Sequence, residues 1–160
     1  MRRIGDWEKA GALVANLTKE MLAARDLSLK RFGLKAEGIA KQHISAQDLD
    51  WVELKKDTTD RKIRLGYSEN ILVETSTYFQ SITSFVEGGD LVLIGVKKTA
   101  MADDGVTELA DIAAVHEFGT QDAKIPARPL WQPTFEEAIE WHKKNNRAED
   151  IFIARIKKYY

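Results

Sequence analysis

The chain has no cysteine among its 160 residues, which excludes disulfide bonds, thiolate metal sites and a thiol nucleophile. Proline is scarce as well: there are three, at positions 126, 129 and 133, so whatever stiffness proline confers is concentrated in one segment. No apolar run approaches the ~20 residues that a bilayer span requires. The opening MRRIGDWEKAG carries two arginines but no apolar stretch of signal length, so neither secretion by that route nor a membrane partner is expected. Net charge is nearly absent too. With 24 basic and 25 acidic residues the formal charge is -1, which offers no overall attraction to nucleic acid, so any DNA contact must be local.

Histidine is the remaining scarcity, and His43, His116 and His142 belong to no spaced ligand cluster. His116-Glu117 invites a metal or acid/base reading, yet zinc needs three or four convergent ligands, and the HExxH spacing fails because position 120 is threonine. A structural role is expected for the pair, with no metal or other cofactor. GVKKT after Gly95 lacks the first glycine of a phosphate-binding loop, and no Gly-x-Ser-x-Gly elbow exists.

What is present is an ordinary globular composition, 44% hydrophobic and 31% charged. It fits a single domain over residues 1–160 that buries ~70% of its unfolded surface. From Asp6 to about Lys30, Trp7, Ala10, Leu13, Val14, Leu17, Met21 and Ala24 recur at three- and four-residue steps, which predicts an amphipathic helix with Asp6 as N-cap. A second helical stretch runs from Phe32 to Gln42, with a break or bend expected near Gly33 because glycine costs roughly 1 kcal/mol in a helix interior. Residues 44 to 60 are polar, with Ser45 and Asp57 as cap candidates. Thr58 to Leu65 reads as a short basic helix closing at Gly66.

Between Tyr78 and Val96 the period changes to two, and Gly88-Gly89-Asp90 interrupts it, which predicts a β-hairpin. Leu91 to Val96 is apolar on both faces, so this strand is expected to be covered on both sides or stacked on a neighbouring subunit. KKTAMADDGVT then reads as an exposed loop, mobile in the isolated protein and orderable on assembly. Beyond it, Ile112, Ala113, Ala114, Val115 and Phe118 form a helix that Gly119 terminates with a positive φ, taken as a left-handed C′ residue. Pro126 and Pro129 bracket Ala127 and Arg128 and make IPARP a stiff, extended strap. Trp131 follows as an anchor, and Pro133 suits the first turn of a helix whose Phe135, Ala138, Ile139 and His142 share a face. The tail is helical with Asn145-Asn146 as an interruption. Phe152, Ile156 and Tyr159 mark its apolar face, and Arg155, Lys157 and Lys158 lie near its end, where the helix dipole favours cations.

The run AAVHEFGT followed by IPARPLWQPTF resembles the C-terminal signature of the virion morphogenesis proteins of Mu-like tailed bacteriophages and of related neck and tail-completion proteins. The upstream blocks are also similar in order: Trp51 and Leu54, a basic helix with Arg61 and Lys62 ending near Gly66, ILVETSTYFQSI at 71–82, and LVLIGV at 91–96. The resemblance covers roughly residues 50 to 135. Where the family usually carries glycine after the threonine of the middle block this chain has Ser76, and where it often carries an aromatic after the second strap proline this chain has Leu130.

The resemblance implies a non-catalytic virion protein of the tail or neck, assembled in the host cytoplasm. Such a protein completes the tail and joins it to the head as a homo-oligomeric ring, a hexamer by what the resemblance implies, against neck, connector, tail-tube or tail-terminator proteins. Genomic DNA would pass through the lumen without sequence-specific binding. The signature residues expected at interfaces are His116, Phe118, Gly119, Ile125, Pro126, Arg128, Pro129 and Trp131. A head-closure connector or tail-terminator ring is the nearest alternative. A small nucleic-acid-binding module is the rival from another class, resting on Lys55, Lys56, Arg61, Lys62 and Arg64, which Glu53, Asp57 and Asp60 dilute. An enzyme is the weaker rival. For Arg128 two readings stand equal, a tie within the subunit and a tie between subunits. The expected fold is α+β: a small antiparallel sheet built on the 78–96 hairpin, packed by N-terminal helices and the signature helix, with a C-terminal helix outside.

Overall fold

The computed structural model describes residues 5–157, so Lys158 and Tyr159 lie outside the described residues. The architecture is α+β, organised on one long helix. This helix, α1 (Trp7–Ala46), is capped by Asp6, whose carboxylate accepts from the Lys9 backbone N–H at 3.1 Å, and it ends on left-handed Gln47. It runs unbroken through Gly33, contrary to the expected bend. A Cβ on Gly33 would lie 2.9 Å from Val92 Cγ2 and 3.1 Å from Ser84 Cβ, so the glycine lets the hairpin sit directly on the helix backbone. That packing offsets the ~1 kcal/mol propensity cost that predicted a break.

Helix α2 (Lys56–Arg64) closes at Gly66, which has φ +73. Neither expected cap operates. Ser45 lies inside α1 and donates to the Lys41 carbonyl, while α2 starts at Lys55 with no side-chain cap. Helix α3 (Thr77–Ser81) replaces the first part of the predicted strand, because the Gln80 N–H finds the Ser76 carbonyl and Ser81 Oγ finds that of Tyr78. The hairpin proper is β1 (Ile82–Glu87) and β2 (Leu91–Val96), antiparallel, with Ile82 opposite Val96 and Glu87 opposite Leu91. Gly88 and Gly89 supply the positive φ its turn requires.

Residues 97–107 are exposed as expected but carry their own hydrogen bonds. Asp104 accepts from the Val106 and Thr107 backbone N–H groups and from the Thr107 hydroxyl, and Thr77 donates to Asp103. The loop therefore has local order within the subunit. Helices α4 (Leu109–Phe118), α5 (Trp131–Asn145) and α6 (Ala148–Ile156) complete the chain. The break between α5 and α6 falls where Asn145-Asn146 predicted it. Asn146 is buried and donates to the Ser28 carbonyl at 2.7 Å, and Ser28 Oγ returns a bond to the Asn146 carbonyl at 2.8 Å. This reciprocal pair pins the corner onto α1.

The core has two parts. Ala40, Ile44, Trp51, Leu72, Ile82 and Leu130 form one, and Ala36, Ile39 and Ala138 the other. The face of α5 that packs inward carries Thr134 and Ala138, while Phe135 and Ile139, read as sharing a face with Ala138, are exposed. No helix among the described residues is long and apolar enough to cross a membrane.

Candidate functional site: the strap and the open face of the hairpin

The strap is held from both sides. Its Arg128 backbone N–H donates to the His116 carbonyl at 2.6 Å, tying it to α4. On the other side it meets residues 51–55: Arg128 Nε donates to the Val52 carbonyl at 2.9 Å, Nη2 to that of Glu53 at 3.3 Å, and Trp51 Nε1 to the Pro129 carbonyl at 2.9 Å. Arg128 is only 5% exposed. Of its two readings the geometry realises the tie within the subunit, because a guanidinium already aimed at two carbonyls of its own chain presents little to a neighbour.

Glu117, read in the sequence only as a partner for His116, has a distinct task. Its Oε2 accepts from the backbone N–H of Leu130 at 2.8 Å and of Trp131 at 3.3 Å. These are unsatisfied donors at the start of α5, which has no side-chain cap of its own, and a carboxylate there also complements the helix dipole. The signature helix thus caps the next helix across the strap. His116 packs against Tyr78, ring centroids 6.4 Å apart. Burial pushes its imidazole below the ordinary value and the nearby Arg128 acts in the same direction, both favouring the neutral ring. Burial also pushes the Tyr78 phenol up.

Gly119 has the positive φ expected, +74, but its ψ of 179 places it outside the left-handed helical well. This conformation is open essentially to glycine alone. It redirects the chain so that Thr120 can bond the Ile125 carbonyl and bring the strap back under α4.

Exposure separates the remaining signature residues. Phe118 is 80% exposed, Ile125 and Pro129 are also exposed, and Pro126 is half-buried. Leu130 is fully buried. Trp131 is half-buried against the first core part, and its ring edge lies 4.0 Å from where a Gly95 Cβ would stand. Gly95 alternates with Leu93 and Leu91 on the outer face of β2, and Phe85 lies opposite Leu93 on β1. The inner residues Val92 and Ile94 pack towards α1 while Phe85, Leu91 and Leu93 stay exposed. Of the two expected ways to cover both faces of β2, cover from within the described chain is not realised. The result is one apolar surface running from Leu91 through Phe85, Leu93 and Gly95 to Trp131 and the neighbouring Phe135, whose ring is 6.5 Å away. A groove of about 410 Å³ follows the outer hairpin face and is edged by Lys97 and Lys98.

The basic residues of the rival nucleic-acid reading are dispersed among other tasks. Arg61 makes a bidentate pair with Glu74, both bonds 2.9 Å, and Lys56 pairs with Asp60. Lys62 is buried and donates to the Asn70 carbonyl, and Lys55 reaches the Lys124 carbonyl. Lys55, Lys56, Arg61 and Arg64 are exposed, but with Lys56 and Arg61 charge-paired to Asp60 and Glu74 they make a diluted phosphate-tracking stripe. Compared with family models, curated proteins and solved structures, the chain matches none.

Proposed function

We propose that this chain is a structural subunit of the head-tail interface of a tailed bacteriophage, acting in tail completion as a member of a ring. The observation that carries the reading is the open apolar surface of Phe85, Leu91 and Leu93 beside the half-buried Trp131, which ends in a rigid strap. A contiguous apolar patch rimmed by charged residues suits a protein contact. The order of the sequence blocks supports the same reading. In this role Arg128, Glu117 and Gly119 act inside the subunit, shaping the strap so that Trp131 is presented at a fixed place beside the hairpin. A surface that is already rigid loses little entropy on docking. Neighbouring copies or tail proteins would cover the hairpin face.

The test is negative-stain microscopy of the purified protein alone and mixed with phage tail tubes, with a Leu93→Glu variant beside it. Rings, or end-caps on the tubes, that vanish in the variant while its circular dichroism is unchanged are the expected result. A wild-type protein that forms no rings and caps no tubes would overturn the proposal.

A further inference from the structure

The N-terminal part of α1 leaves the body of the protein. Residues 7–19 are exposed throughout except Leu17, which is half-buried; at 1.5 Å per residue this arm is about 20 Å long. A helical segment of this length is marginal by itself in water. Its apolar residues are large: Trp7 is 63% exposed, Leu13 46% and Val14 63%, and Met21 just beyond it is 54% exposed.

Their spacing forms a stripe that a second helix can cover. Trp7, Ala10, Val14, Leu17, Met21, Ala24 and Ser28 follow one another at alternating steps of three and four, the seam of two helices packed side by side. The upper end of that seam already has a helix on it. Between the Arg155–Glu20 ion pair at 2.6 Å and the Asn146–Ser28 bonds, α6 packs along α1, and Ala24 and Ser28 are buried. The arm continues the same seam beyond the end of α6, and among the described residues no helix lies on it there. Because α1 is unbroken, the arm cannot fold back on its own hairpin.

We propose that the arm is a self-pairing element, and that its occupant is the arm of a second copy of this chain. Three features favour the second copy. The seam on one arm, with Met21 just beyond it, offers large residues (Trp7, Val14, Leu17) and small ones (Ala10), which allow two identical stripes to interdigitate. Residues 7–19 hold one acidic side chain, Glu8, and two basic ones, Lys9 and Lys19, so two copies meet without strong repulsion. A tryptophan alone can bury about 150–250 Å², and two such stripes reach the ~1,000 Å² of total area that a specific interface needs. Arm pairing uses a surface separate from the hairpin face and stands whether or not that face builds a ring.

Sedimentation velocity at micromolar concentration tests this in the Leu93→Glu background, where the hairpin face is blocked. A dimer is expected there, with its mass halved by adding Leu17→Glu, or by Val14→Lys if the first variant folds poorly. The absence of native cysteine allows a second readout: Val14→Cys in the same background should form a disulfide-linked dimer on mild oxidation. A monomer in the Leu93→Glu background, a dimer that persists in both arm variants, or failure of Val14→Cys to cross-link would each overturn the proposal.

Discussion

Replacing Gly119 by alanine probes the junction on which the strap depends. Two costs add. The first is conformational, since φ +74 with ψ 179 is a region that residues with a Cβ occupy at about 1–3 kcal/mol. The second is steric. A Cβ at this position would lie 2.9 Å from the Ala127 nitrogen, 3.0 Å from the Ile125 oxygen and 3.3 Å from the Pro126 carbonyl carbon. All three are backbone atoms of a proline-stiffened segment, so no side chain can rotate away. Relief requires the strap to move off α4, which strains the 2.6 Å bond from Arg128 N–H to the His116 carbonyl, a bond of about 1 kcal/mol. The sum is about 2–4 kcal/mol, and at roughly 2–4 °C per kcal/mol for a chain of this size Tm should fall by about 5–15 °C. Thermal unfolding followed by circular dichroism measures it, with Gly119→Val expected to be worse. If Tm of Gly119→Ala stays within ~2 °C of wild type, the glycine does not hold this conformation and the tie between strap and helix has been placed wrongly.

Three further outcomes are expected. Arg128→Ala should destabilise the isolated subunit by about 2–4 kcal/mol in urea unfolding, because the Val52 and Glu53 carbonyls lose a charged donor; a variant as stable as wild type would return Arg128 to the subunit surface. Ser76 holds φ +69, in the left-handed region that costs a non-glycine residue ~1–2 kcal/mol, so Ser76→Gly should raise stability by about 0.5–1 kcal/mol after the added chain entropy, and a lowered Tm would count against that backbone. His116 titrates below its ordinary value in the folded state, so as pH falls through the unfolded value near 6.5 the unfolded chain takes up the proton first. Stability should therefore decline from pH 7 towards 5, and His116→Gln should flatten that slope; an unchanged slope would show that another group drives it.

The elements that were legible in the sequence are those whose cause is local. The Asp6 cap, the Gly88-Gly89 turn, the Gly66 stop and the Asn145-Asn146 interruption each depend on residues within a few positions of one another, and each lies where the pattern put it. The misreadings come from contacts made at a distance. Gly33 looks like a helix breaker until Ser84 and Val92, some fifty residues away in the chain, are seen to press on it. Tyr78–Ser81 alternates like a strand, yet it winds into a helical turn ahead of Ile82, which is buried against Ala40 and Ile44.

The candidate site divides along the same line. The prolines announced a stiff strap, and stiffness is a property of the strap alone. What the strap is for depended on carbonyls, and a sequence shows every residue with the same carbonyl. Nothing in the side chains of Val52 and Glu53 marks them as acceptors for Arg128, and Glu117 beside a histidine drew attention to metal chemistry when its geometry serves two backbone N–H groups across the strap. The apolar alternation of β2 did carry a usable signal, because two apolar faces on one strand require two covers. Within the described residues α1 supplies one of them, under Val92 and Ile94, and leaves Phe85, Leu91 and Leu93 beside Trp131 without the other. The same mismatch between apolar pattern and cover recurs along the arm of α1. In both places the described residues carry more apolar surface than they cover, and that excess is the physical reason to look for its function in contacts with other chains.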